Sequence, residues 1–185
     1  NIPEFVPLAS GAIAKIEEAR RQGVAVSANM YTYTAGSTGF DAAMPLWVQA
    51  GGLEAWVARL QDPPQRARVI EEMRNPPAGE ENLFRTAGSP ERVLLVGFKN
   101  PALKPLTGKT LADVMKMRGT SAEDTIVDLV IEDNSRVQVI YFLMSEDNVK
   151  LGLSQPWVSL GSDAEALAPE GVFMKSSTHP RAYGN

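Results

Sequence analysis

The chain has no cysteine and, among its 185 residues, a single histidine, His179. Without cysteine there is no disulfide framework to staple a small secreted fold, and redox chemistry gives no compartment. A cytoplasmic protein is the default expectation. With one imidazole and no thiolate, these residues cannot by themselves assemble the His- or Cys-rich set that zinc takes. Metal chemistry here would have to draw its ligands from other sequence. No apolar run approaches the roughly 20 residues that span a bilayer, so no membrane is expected as a partner. Residues 1–10 lack the basic stretch followed by an apolar one that marks a secretory leader,. Basic charge is not in excess either: 18 Lys and Arg stand against 22 Asp and Glu, a net charge of −4. A nucleic-acid binder would carry the opposite balance on at least one face, so no nucleic acid is expected.

The residues that are present are those of a globular protein, with 44% hydrophobic and 22% charged,. Ser10 reads as a helix N-cap, with Ile13, Ile16 and Ala19 at helical spacing until Gly23 ends the run,. A short buried strand is expected over 24–30, with Tyr31-Thr32-Tyr33 at its C-terminal edge. Helices are expected over 53–60 and from Pro63 to Met73, where Asn75-Pro76-Pro77 breaks the pattern. Residues 92–98 form an apolar run suited to a buried strand. Thr110 with Asp113, and Ser121 with Asp124, each pair an N-cap with an acid three places on, and Gly119 lies between as a stop,. They predict consecutive helices over 111–118 and 122–133. A strand over 137–144, a short helix over 146–151 and a strand over 157–160 complete the pattern.

Strands alternating with helices point to an α/β fold. About four strands are half of what closes a (β/α)₈ barrel, and such barrels take roughly 250 residues. An incomplete barrel is therefore expected. The chain opens on Asn rather than Met and stops at Tyr183-Gly184-Asn185 without a closing element, which fits a fragment.

In parallel α/β folds, functional groups gather past the C-terminal ends of strands. Two places qualify: residues 31–37, and Asp163 after Gly161-Ser162. A carboxylate so placed can act as a base or metal ligand, or simply cap a helix or an Asx-turn. Arg181, in His179-Pro180-Arg181, can hold an anion by a bidentate fork or be an ordinary solvated cation. Tyr31, Tyr33 and Ser37 offer hydroxyls that serve equally as a packed aromatic pair and a capped turn. Gly108-Lys109-Thr110 resembles the end of a phosphate-binding loop, but Leu103 occupies the earlier glycine position,. Ser162, Asp163 and His179 lack the G-x-S-x-G elbow of a hydrolase triad. Lys99, Lys104 and Lys109 read as a solvated loop. These features alone define an α/β domain without an activity.

The text of the sequence goes further. Residues 28–38, Ala-Asn-Met-Tyr-Thr-Tyr-Thr-Ala-Gly-Ser-Thr, resemble the segment A-D-x-Y-P-Y-T-A-x-S-T of N-acyl-D-amino-acid deacylases, the D-aminoacylases of the amidohydrolase superfamily. The stretch from Val93-Leu94-Leu95-Val96 through Gly108-Lys109-Thr110-Leu111-Ala112 is similar to that family, as are residues 142–146, Gly161-Ser162-Asp163 and residues 179–184. They follow the family's order over essentially the whole chain. The resemblance implies a metal-dependent hydrolase of the partial TIM-barrel type. The chain would give later strands plus a mostly helical insertion at about 39–91, within one catalytic domain whose Cys and His zinc ligands lie upstream. It implies Asp163 as the catalytic carboxylate, serving as general acid and base and possible metal ligand. It implies Arg181, Tyr31 and Ser37 as holders of the α-carboxylate of a small N-acyl-D-amino acid. Two departures stand out: Asn29 replaces the family's Asp, and Thr32 its Pro. Two other readings stay open, a cyclic-amide hydrolase of the dihydropyrimidinase or hydantoinase type and a non-catalytic α/β interaction module.

Overall fold

Capping residues set where the principal helices begin. The Asp113 amide donates to Thr110 Oγ1 at 3.1 Å and the Thr110 amide donates to Asp113 Oδ2 at 2.9 Å. This reciprocal box starts the helix Leu111–Arg118 at the residue the sequence predicts,. Gly119, at φ 68°, ends it in the left-handed region that a side chain would make costly,. Ser121 then accepts from the Asp124 amide and starts Ala122–Asp133. Asp62 caps Pro63–Arg74 by accepting from the Gln65 amide, with proline in the first turn where its missing N–H is no loss,.

The structure, a computed structural model, describes residues 5–164 and Glu170. In chain order its elements are α1 (Phe5–Arg21), β1 (Ala28–Met30), β2 (Gly36–Gly39), α2 (Gly52–Gln61), α3 (Pro63–Arg74), α4 (Leu83–Ala87), β3 (Val93–Gly97), α5 (Leu111–Arg118), α6 (Ala122–Asp133), β4 (Gln138–Tyr141), α7 (Glu146–Leu153) and β5 (Val158–Leu160). Short 3₁₀ turns cover Phe40–Ala43, Leu46–Gln49, Pro90–Arg92 and Pro101–Leu106. Helix α1 starts well before Ser10, the N-cap expected from sequence; Pro7 falls in its first turns, where the amides have no intrahelical partner,. Among the described residues no helix is long and apolar enough to cross a membrane. The architecture is mixed α/β.

The chain divides into two compact units. One runs from Ala35 to Leu143. Its sheet has the order β2-β4-β3, with β4 antiparallel to both neighbours. The sequence pattern pointed instead to parallel strands. The reason lies in the connection: two helices, α5 and α6, join β3 to β4, and the extra reversal returns the chain in the opposite direction. A single crossover helix would have kept it parallel. Val139 and Tyr141 of β4 point into the core while Gln138 is exposed. Against that sheet pack Phe40, Leu60, Met73, Leu111 and the apolar face of α6, with Ile126, Leu129 and Val130 fully buried. Polar groups that enter this core are paired, as burial requires, except the Trp56 indole N–H, which is buried without a partner among the described residues,. The Asn82 amide donates to the carbonyls of Ala43 and Met73 at 3.0 and 3.3 Å. The Tyr141 hydroxyl donates to the Gly39 carbonyl at 3.2 Å, and burial drives its pKa far above the ordinary phenol value.

The other unit holds the described residues up to Thr34 and from Met144 onward. Strands β1 and β5 pair in parallel there, flanked by α1 and α7. The Trp157 indole N–H donates to Glu17 of α1. Val149 and Trp157 are the buried residues among those described in this unit.

Candidate active site

Parallel pairing of β1 with β5 sets which residues share one end. Ala28 lies opposite Val158, Asn29 opposite Ser159 and Met30 opposite Leu160. The ladder closes with the Gly161 amide donating to the Met30 carbonyl at 3.0 Å. Just past that bond, Tyr31-Thr32-Tyr33 leaves one strand and Gly161-Ser162-Asp163 leaves the other, both at C-terminal ends where α/β folds place their chemistry. Met30, Tyr31, Thr32, Tyr33, Leu160, Gly161 and Ser162 line a cleft of about 100 Å³, and Asp163 follows directly after its lining. Drug-sized ligands fill clefts of roughly 300–1,000 Å³. This cleft is smaller than that.

The Tyr31 and Tyr33 rings stand 5.9 Å apart at 36°, the tilted contact that aromatic quadrupoles favour,. Asp163 is exposed, with φ at 51°. That left-handed conformation is one an aspartate tolerates better than most side chains, and it turns the chain sharply after β5. One step below the ends, the Ser159 hydroxyl donates to Asn29 Oδ1. The sequence singled out Asn29 only as a departure from a pattern and passed over Ser159 altogether. Their link comes from strand register, which no local motif encodes.

Among the expected site residues, Tyr31 and Asp163 lie at the ends of this strand pair. Ser37 belongs to the other unit: it sits on β2 opposite Ile140, exposed, with Oγ donating to the Val139 carbonyl at 3.4 Å. Arg181 and His179 lie outside the described residues. Among the described residues no group of three His, Cys, Asp or Glu comes together as a metal would need.

No protein-family model matches this chain, and no curated protein matches it. Solved structures do. One is the N-acyl-D-glutamate deacylase of Bordetella bronchiseptica, complexed with zinc and a phosphonate inhibitor that mimics the tetrahedral intermediate. It is 21% identical, with a TM-score of 0.49 over 83% of this chain and 22% of its own. Another is a D-aminoacylase that defines a novel subset of amidohydrolases, 24% identical, with a TM-score of 0.46 over 84% of this chain and 22% of its own. A third is a D-aminoacylase structure addressing a binuclear metal centre, 23% identical, with a TM-score of 0.47 over the same shares of the two chains. The chain thus spans about 22% of the length of the structures it is similar to.

Proposed function

We propose that this chain is part of a metal-dependent amidohydrolase that cleaves the amide bond of N-acyl-D-amino acids. In this reading β1 and β5 are adjacent late strands of a (β/α)₈ barrel, and residues 39–91 belong to an insertion between them. One observation carries the reading. Two of the segments that resemble deacylases, 28–38 and 161–163, are far apart in the chain, yet residues 28–30 run in parallel register with 158–160 and Tyr31 and Asp163 follow the same ends of the two strands.

The zinc that this family implies does not fit the donors present. There is no cysteine, the one histidine lies outside the described residues, and no three-donor cluster occurs among the residues described. Its ligands would come from sequence beyond these residues, with Asp163 as one possible member of the set. What Asp163 itself contributes is proton transfer. Its carboxylate takes a proton from the attacking water as the water oxygen bonds to the acyl carbon. It returns that proton to the nitrogen as the carbon–nitrogen bond breaks, giving a carboxylate and a free D-amino acid. Arg181 and the hydroxyl of Tyr31 would hold the α-carboxylate, a charge-assisted fork with a neutral donor.

The test is hydrolysis of N-acyl-D-amino acids by the complete protein supplied with zinc. Turnover is expected there and not from these 185 residues alone. Arg181→Ala should raise the KM for such substrates. Activity of the complete protein confined to cyclic amides, with their KM untouched by Arg181→Ala, would count against the reading and for a hydantoinase-type enzyme.

A further inference from the structure

The two faces of the β1–β5 pair differ in chemistry. Met30 turns toward α7, close enough that a Cβ added at Gly152 would meet its Sδ at 2.5 Å. Alternation along the strands then sends Asn29 and Ser159 to the opposite face. Register sets them directly across from each other, and the Ser159 hydroxyl donates to Asn29 Oδ1. Both are exposed, so no burial forces this bond. A Cβ added at Gly161 would stand 3.6 Å from the Asn29 Cβ, an ordinary contact, so Asn29 also flanks the residue that leads to Ser162 and Asp163. The rung lies two residues before Tyr31 and four before Asp163. Each strand spans three residues, so the side-chain bond adds to a short backbone ladder closed by the Ala28 amide on the Trp157 carbonyl and the Gly161 amide on the Met30 carbonyl.

We infer that Asn29 and Ser159 are positioning residues for the reaction proposed above, on which this inference rests. Their hydrogen bond holds the two strand ends in one relative setting and so fixes the Asp163 carboxylate against Tyr31. Neither residue takes a proton or contacts the reacting carbonyl. The bond requires an acceptor at 29 and a hydroxyl at 159, and it does not require the acceptor to be neutral.

The experiment is steady-state kinetics of the complete protein on an N-acyl-D-amino acid. Displacing a catalytic group by a fraction of an ångström to an ångström costs on the order of tenfold to a hundredfold. Asn29→Ala and Ser159→Ala should each lower kcat about tenfold and leave KM within about twofold, since substrate is held elsewhere. The double variant should be no slower than either single one, because both remove the same bond. Asn29→Asp keeps the acceptor and should return kcat to within about threefold of the parent. Additive losses, an Asn29→Asp variant as slow as Asn29→Ala, or an unchanged kcat in Asn29→Ala would overturn the positioning role while leaving the proposed activity intact. A complete protein with no turnover of N-acyl-D-amino acids would instead remove the proposed function itself.

Discussion

In the unit Ala35–Leu143, a continuous core runs from Phe40 to Tyr141 and even Asn82 is buried with its amide satisfied. In the other unit, a two-stranded parallel sheet stands with Val24 and Leu160 each 52% exposed. Antiparallel sheets tolerate one wet face, and three strands with helices packed on them suffice for stability. Parallel strands are ordinarily covered on both faces. The difference teaches that the candidate chemistry and the extensive packing lie in different parts of this chain. In the unit that holds the candidate catalytic end, Val149 and Trp157 are the buried hydrophobic residues among those described.

The broadest way to break that comparison is excision. Residues 35–143 alone should unfold in one cooperative thermal transition, as small cored domains do. The remainder, with Thr34 joined to Met144 by a short linker, should show none. The junction is chemically simple, since the Met144 amide already donates to the Thr34 carbonyl at 3.0 Å. A cooperative melt of the remainder would contradict the account. At the level of single residues, Leu129→Ala should destabilise the chain by about 2–5 kcal/mol in urea titration, because it empties a fully buried site,. Leu160→Ala should stay within about 0.5 kcal/mol. Equal losses at the two sites would erase the contrast.

A smaller effect is expected at Asn82, where alanine leaves the Ala43 and Met73 carbonyls without their donor and removes the cap on α4, a cost of about 1–3 kcal/mol,. The smallest concerns acid. The hydrogen bond from Arg66, followed by that from Ser121, holds the Asp124 carboxyl below its ordinary value of 3.8. A carboxylate depressed in the folded state adds stability above its unfolded pKa and loses it as pH falls through the folded one. Asp124→Asn should therefore flatten the stability profile below about pH 4 and leave its shape near neutrality unchanged. An unaltered acid limb in urea titrations at pH 3 to 5 would remove that pairing from the account.

The helices were the most legible part of the sequence. Thr110 with Asp113, Ser121 with Asp124 and Gly119 between them mark α5 and α6 to the residue, because capping is a local reaction between side chain and backbone. Strand β2 was not legible: Gly36-Ser37-Thr38-Gly39 has neither alternation nor β-branched weight, and it is a strand because β4 supplies the partner amides and carbonyls. Strand direction was recoverable in principle from the two helices between β3 and β4, although the alternation of elements pointed the other way. At the candidate site, Tyr31 and Asp163 were visible as strand-end residues, whereas the Asn29–Ser159 pair depends on register across a separation of 130 residues. No local pattern carries that information.

The most direct test of the central claim is the turnover of N-acyl-D-amino acids by Asp163→Asn in the complete, zinc-supplied protein, with folding checked by circular dichroism. The account predicts a fall in kcat of at least about a hundredfold, the scale of losing a general acid–base group. Turnover within a few-fold of the unmodified protein would contradict it.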